Sequence, residues 1–384
     1  MSSKRSYRVA VRLACQKRSF SITSNPRKPL TTWEPALPQG VSPAYDAALA
    51  YLTTYQNQKK SRLESLRSSL PETPSIGQLQ QVDKLEVEAF ANDPSIRRNF
   101  RETGGKGQMD MKVMRWLAEE KWRKEGELDL LMQRALQLNV VPDLLPDIPP
   151  TAPLIVSVGS SRVIPAAFTK PSALLQPPNI THQLFHHPAL PTSSSPNPSA
   201  LHTLLVVDAD APDHERHTFQ ERLHYLKTDI PLSVTDGEVD LTDSFVGKQV
   251  IAWEPPAPEQ GTPYHRYVCL LFRQHSPLTP SVSSRDLFNT RNFLASQGLN
   301  IHDLSGLSLF RAIWSEAEDE FINKVFKENR GVTEGAPIYR RVPKEVKYGL
   351  PLNAKEKRKE EIREQTWERA VNKLEGITGE ELVI

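Results

Sequence analysis

Trp253-Glu254-Pro255-Pro256-Ala257-Pro258, then Gly261, then His265-Arg266-Tyr267-Val268 running into Leu271-Phe272-Arg273-Gln274, is the stretch on which the fold turns. Its second half, Tyr267 to Phe272, is a short apolar run of strand type, with counterparts at Leu154 to Val158, Leu204 to Val207 and Gln249 to Trp253. Short, β-branched runs of this kind, between about Ala152 and Phe272, predict the strands of a mainly β core. Outward from it stand two further fragments. Asp208-Ala209-Asp210-Ala211-Pro212 follows a strand and reads as a loop, and Glu221-Arg222-Leu223-His224-Tyr225-Leu226-Lys227-Thr228-Asp229-Ile230-Pro231 sets a histidine inside another strand.

In this order and spacing the fragments resemble the phosphatidylethanolamine-binding-protein (PEBP) family. Asp208 to Pro212 is similar to its Asp-Pro-Asp-x-Pro loop, and Glu221 to Pro231 to its histidine-bearing strand. Trp253 to Gln274 is similar to the Tyr-Glu-x-Pro-x-Pro, Gly-x-His-Arg, Leu-Phe-Arg-Gln signature of the plant flowering regulators and the yeast carboxypeptidase-inhibitor branch, and Phe288-Asn289-Thr290-Arg291-Asn292-Phe293 resembles the family's C-terminal helix. The resemblance implies an antiparallel β-sandwich of two sheets flanked by helices. It also implies a small pocket for an anionic head group, lined by Asp208, Pro212, His224, Pro256, His265 and Tyr267. Two imidazoles and a phenol can donate to phosphate oxygens while the aspartate orients or charges a histidine; the same groups can instead satisfy one another as a buried polar cluster. Two departures favour the second reading: Ala209 replaces the loop's first proline, and Thr262-Pro263-Tyr264 separates Gly261 from His265 where the family has one residue. The expectation is a vestigial pocket without a tight small-molecule ligand.

Most of the remaining chain is extension. A chain of 384 residues exceeds what one hydrophobic core commonly organises, and 32 prolines against 17 glycines point to long proline-punctuated connections. No acidic residue occurs from Met1 to Trp33, whereas Lys4, Arg5, Arg8, Arg12, Lys17 and Arg18 lie among serines, the composition of a mitochondrial transit peptide. The resulting division is a transit peptide at 1–24, an extended and helical arm at 25–149, a PEBP-like domain at 150–330 and a tail at 331–384. In the arm, Ser42-Pro43 predicts a helix start, Gln78 to Phe90 a second helix, and Arg97 to Val140 a basic segment. There Arg97, Arg98, Arg101 and Lys106 lie around a loose Gly104-Gly105-Lys106-Gly107, and Lys112 and Arg115 begin a helix with an apolar stripe from Met114 and Leu117 through Leu131 and Ala135 to Leu138. These six cations are the candidate rRNA contacts. The alternative is an amphipathic helix packed on its own domain. Beyond the core, Ser284 to Gln297, Ser305 to Asn329 and a charged Ala354 to Leu374 segment read as helical, the last with Trp367, Ala370, Val371 and Leu374 on one face.

Other chemistries find no footing. Basic and acidic residues number 48 and 46, so any RNA contact is local rather than global. Cys15 and Cys269 are the only cysteines, which excludes a disulfide framework and a cysteine zinc site, and no apolar run reaches membrane-spanning length. Asp208, Asp210, Asp213, His214 and His217 crowd together, but without the calcium-loop glycine or a zinc-helix spacing. No metal or cofactor and no catalytic activity is expected. Long arms and a transit peptide on a PEBP core resemble the PEBP-fold proteins of the mitochondrial large ribosomal subunit. That likeness implies ribosomal proteins and rRNA as partners in the matrix, without membrane insertion. A soluble ligand-binding regulator or protease inhibitor is the alternative.

Overall fold

The computed structural model describes residues 33–71, 75–187, 198–213, 216–239, 241, 246–282, 284–339, 346–347 and 350–378. The transit segment, most of the Pro188 to Pro198 loop and His214 lie outside the described residues. The chain divides into two compact units, the first of Met1–Leu128, Gln183–Ser199 and Leu232–Gly237, the second of Asp129–His182, Ala200–Pro231 and Glu238–Ile384.

The first unit is helical. Helix α1 (Pro43–Ser68) starts on proline, whose missing N–H is one the helix leaves unbonded in any case. Helix α2 (Ile76–Phe90) is opened by a reciprocal Ser75–Gln78 capping box. Helix α3 (Pro94–Thr103) is capped by Asp93, which accepts from the Ser95 N–H at 2.9 Å, and stops at Gly104 in the left-handed region, φ 62°. Arg97, Arg98 and Arg101 therefore stand on a helix, and Gly104 is its C-terminal stop, not part of a loose loop carrying them. Helix α4 (Lys112–Lys124) sends Val113, Met114 and Leu117 into a core with Ala91 and Ile96.

The expected long stripe divides at Gly126, where φ is 88°, a conformation cheap only without a Cβ. Helix α5 (Glu127–Gln137) follows, and its Leu131 and Ala135 enter the core of the second unit, so the sheet-bearing body takes in residues from 129 onward that the sequence places with the arm. After the short α6 (Val140–Asp143) come β1 (Leu154–Val158), β2 (Ser161–Arg162), β3 (Asn179–His182), β4 (Ala200–Asp213), β5 (Thr218–Leu232), β6 (Glu238–Val239), β7 (Lys248–Ile251) and β8 (His265–Arg273). Helix α7 (Thr290–Gln297), strand β9 (Leu304–Ala312), helix α8 (Asp319–Asn329), the small β10 (Val346–Lys347) and β11 (Leu350–Pro351) pair and helix α9 (Ala354–Thr378) complete the unit.

The sheets have orders β7-β5-β4-β8-β9 and β2-β1-β3-β6. In the larger, β4, β8 and β9 pair antiparallel, with Val206 opposite Cys269 and Cys269 opposite Ser308. On one face Leu205, Val207, Val268, Leu270, Leu307 and Leu309 pack with Leu131, Ala135 and Leu144. On the other, Gly306 lies so close to the small sheet that a Cβ there would stand 2.9 Å from the Leu154 Cβ and 3.0 Å from the His182 ring. Burial on both faces explains an expectation that fails. Ser305 onward reads as helix because apolar residues recur without strict alternation, yet Leu304–Ala312 is a strand covered on both sides, and only Asp319–Asn329 is α-helical. Likewise Asp208 to Pro212 is no loop but the continuation of β4.

Candidate functional site

Strands β4, β5 and β8 and the proline-rich turn after β7 bring five of the six expected pocket residues into one buried cluster. Asp208 is 1% exposed, His224 and Tyr267 0% and His265 1%; Pro256 is also buried, while Pro212 is half-buried.

The hydrogen bonds set the state of His265. His265 Nδ1 donates to Asp208 Oδ2 at 2.8 Å, and its Nε2 meets the Thr262 hydroxyl at 3.0 Å. Thr262 gives its own proton to the Glu259 carbonyl at 2.8 Å, so its oxygen accepts from His265. His265 is thus held as an imidazolium with both N–H groups engaged. Burial opposes that charge, but Asp208 and Glu259 overcome it and raise the His265 pKa above its ordinary value. The Asp208 pKa lies below the usual carboxylate value, burial again being outweighed by His265. His224 differs. Its Nδ1 donates to the Glu254 carbonyl at 2.8 Å, and burial lowers its pKa despite Glu254 and Asp208. Burial and the Asp208 charge push the Tyr267 phenol well above its ordinary value.

Around this core runs an ion-pair network that the sequence reading did not single out. Glu254 takes Arg222 on both oxygens at 3.0 and 2.9 Å, and Arg330 at 2.9 Å. Arg330 also reaches Glu259 at 3.1 Å, and Arg222 pairs with Asp286. Burial would raise the Glu254 pKa, but His224, Arg330 and Arg222 hold it down at about 2. Glu254 was visible in the Trp-Glu-Pro-Pro motif; Arg330, 76 positions later, gave no sequence signal. Among the described residues, His224 Nε2 has no hydrogen-bond partner, and Glu259 Oε2 lies 3.5 Å from His265 Nε2. Tyr264 of the inserted turn stands edge-on to Phe168 with ring centroids 5.9 Å apart, and Arg311 lies 4.0 Å from the Phe168 centroid and 5.0 Å from that of Tyr264.

The candidate rRNA contacts separate. Arg98, Arg101 and Lys106 are exposed, with Arg98 paired to Glu102 at 3.0 Å, and exposed Arg97 bonds the Ala91 carbonyl at 2.7 Å. Lys112 pairs with Asp83 and lies 3.5 Å from Glu86. Arg115 is only 3% exposed and donates to the carbonyls of Phe185, Met109 and Asp110 at 3.0, 2.7 and 3.0 Å, so it is a structural tie and unavailable to RNA. Asp210 holds Arg266 at 2.7 Å. Burial pushes the Cys269 thiol up to about 12, which disqualifies it as a nucleophile.

A family model described as phosphatidylethanolamine-binding protein matches residues 161–307. Protein TERMINAL FLOWER 1 of Arabidopsis thaliana is 31% identical over 165 residues, 42% of this chain and 81% of that protein. The chain belongs to the PEBP family. CEN-like protein 1 of Nicotiana tabacum is 38% identical over 99 residues, 26% of this chain, and the chain spans about half of that relative, 51%. Large ribosomal subunit protein mL38 of Schizosaccharomyces pombe is 25% identical over 287 residues, 73% of this chain and 86% of that protein. Thr262 takes the His265 ring nitrogen that Asp208 leaves open.

Proposed function

We propose that this PEBP protein is a non-catalytic structural constituent of the mitochondrial large ribosomal subunit, in the region of the central protuberance, where it supports mitochondrial translation. The observation that carries the reading is the extent of the likeness to mL38: 287 residues, against the 161–307 of the family model, so the similarity takes in flanking sequence as well as the PEBP domain. The acid-free basic segment before Trp33 supports import into the matrix and removal of residues 1–24. The partners are large-subunit proteins and rRNA. Exposed Arg97, Arg98, Arg101 and Lys106 remain the contacts proposed for the arm. Among the described residues no helix is long and apolar enough to cross a membrane.

The pocket is vestigial in this reading. Both donors of His265 are engaged internally, and the buried carboxylates of Asp208 and Glu259 stand where an anion would have to approach. Sedimentation of mitochondrial lysate in high salt tests the assignment: the protein should travel with the large subunit, and a wholly free, slow-sedimenting pool defeats it. The second reading, a soluble ligand-binding regulator or protease inhibitor, is favoured by His224 Nε2, which no hydrogen bond engages among the described residues. It requires tight binding of a phosphorylated head group by the purified chain, lost on His265→Ala.

A further inference from the structure

One short turn covers the Nε2 side of His265. Thr262, whose hydroxyl meets that nitrogen at 3.0 Å, folds back on Glu259: its N–H and its hydroxyl both donate to the Glu259 carbonyl, at 3.3 and 2.8 Å. The Glu259 carboxylate lies 3.5 Å from the same ring nitrogen. Residues 330–339, which follow α8, grip this turn at two successive positions. Arg330 donates to Glu259 at 3.1 Å; Ile338 pairs in parallel with Gln260, and the Tyr339 N–H donates to the Gln260 carbonyl at 2.9 Å.

The segment is shaped for that place but thinly held. Gly335 bends it at φ 91°, and a Cβ there would stand 2.5 Å from Asn323 Oδ1, the atom that accepts the Ala336 N–H at 2.8 Å. Asn323 is itself steadied by Asp319 at 2.9 Å. Apolar attachment is slight: Ala336 packs against the cluster of Ala257, Ile322 and Phe326, whereas Val332 is 40% exposed and Ile338 64%. A segment fastened mainly by backbone hydrogen bonds, with little apolar surface buried, opens at a lower free energy than a covered strand such as β8. In sequence it leads on to the tail and α9, so displacement of the tail reaches the Tyr339 bond first.

We propose that residues 331–339 are a latch that holds the Glu259–Thr262 turn against His265 and, when displaced, frees His265 Nε2 to donate to an oxygen of a phosphate group. The proposal rests on the reading of this pocket as occupied by the protein's own groups, and adds that the occupation is reversible. Asp208 keeps its bond to Nδ1 in the open form, so the ring retains the carboxylate that stabilises its charge as Nε2 is uncovered. A charged N–H donor and an anionic oxygen make the stronger class of hydrogen bond, which a threonine hydroxyl does not match.

The test begins with native-state amide hydrogen exchange on the full chain. The amides of Thr262, Ala336 and Tyr339 should share one opening free energy, well below that of the amides of β8. In the double variant Gly335→Val, Tyr339→Pro, which strains the bend and removes the donor to Gln260, exchange at Thr262 should quicken roughly tenfold. Inorganic phosphate, titrated calorimetrically at constant ionic strength, should then bind the variant and not the parent, and His265→Gln in the variant background should abolish binding. Glycerol phosphate is titrated beside it: binding of both supports a latch over a site for free phosphate, and binding of glycerol phosphate alone a latch over a site for a phosphate-bearing head group. If the double variant fails to fold, the exchange pattern of the parent still decides. Latch amides that exchange independently of Thr262, or a variant whose turn opens yet binds neither phosphate, overturn the latch and leave the closed pocket standing. Binding by the parent overturns the closed pocket itself, and the latch with it.

Discussion

Replacing Glu254 by glutamine keeps the side-chain shape and removes one charge from the centre of the buried network. The carboxylate is 1% exposed and receives Arg222 at 3.0 and 2.9 Å and Arg330 at 2.9 Å, with Arg285 at 3.6 Å. Glutamine would offer these guanidinium groups one acceptor and turn an NH2 toward the other donors. Two routes to the magnitude agree. A carboxyl pKa held at about 2 instead of 4.5 corresponds to about 3 kcal/mol at roughly 1.4 kcal/mol per pH unit. Removing one member of a buried ion pair generally costs about 3 to 5 kcal/mol. Urea denaturation of the full chain at neutral pH, followed by near-ultraviolet circular dichroism, should therefore show Glu254→Gln destabilised by about 3 kcal/mol. The pH dependence has a definite sign. A group whose folded pKa is depressed contributes fully above its unfolded pKa and loses that contribution as the pH falls through the folded one. The gap between parent and variant should hold above pH 4.5 and close as the pH approaches about 2. A destabilisation below about 1 kcal/mol, or a gap that persists unchanged into strong acid, would refute the reasoning.

Two further outcomes are expected. Burial lowers the pKa of His182 to about 3 and of His202 to about 4, so both are neutral in the fold, and stability should be lost as the pH falls from 6.5 toward those values. Melting temperatures between neutral pH and pH 4 should be less pH-dependent in His202→Leu by the equivalent of about 3 kcal/mol, and parallel profiles would count against buried neutral histidines. Arg115→Met should cost about 2 kcal/mol or more by stranding three carbonyl acceptors. Arg98→Ala, which opens an exposed pair with Glu102, should cost under about 1 kcal/mol, and equal losses in urea titrations would contradict the buried placement of Arg115.

Local order was legible wherever a single residue's chemistry decides the backbone. Pro43 opens α1 and Phe90 closes α2 where the sequence places them, and the runs around Val156, Val206 and Leu270 are strands because β-branched and apolar side chains suit a pleated, covered surface. Legibility failed where covering is complete. Leu304 to Ala312 lies under protein on both faces, so the alternation that marks a strand is erased and its apolar residues recur as a helix's would. It failed again at Gly126, whose left-handed backbone splits one apparent stripe into two helices serving different cores.

The sequence by itself determined the family, since the fragments from Asp208, Glu221 and Trp253 onward carry its pattern in order, and it singled out five side chains, Asp208, His224, Pro256, His265 and Tyr267, that the fold buries. Only the tertiary structure decided what state those side chains are in. Strands β4 and β8 bring Asp208 within 2.8 Å of His265 across 57 positions, and the fold returns Arg330 to Glu254 across 76. Charge and protonation depend on distance and burial, which the fold sets by pairing residues far apart in the chain. For the same reason the basic residues of the arm were readable as a group, whereas the division between buried Arg115 and exposed Arg98 was not: a guanidinium has the same composition in water as against three carbonyls, and only the packing around it chooses between them.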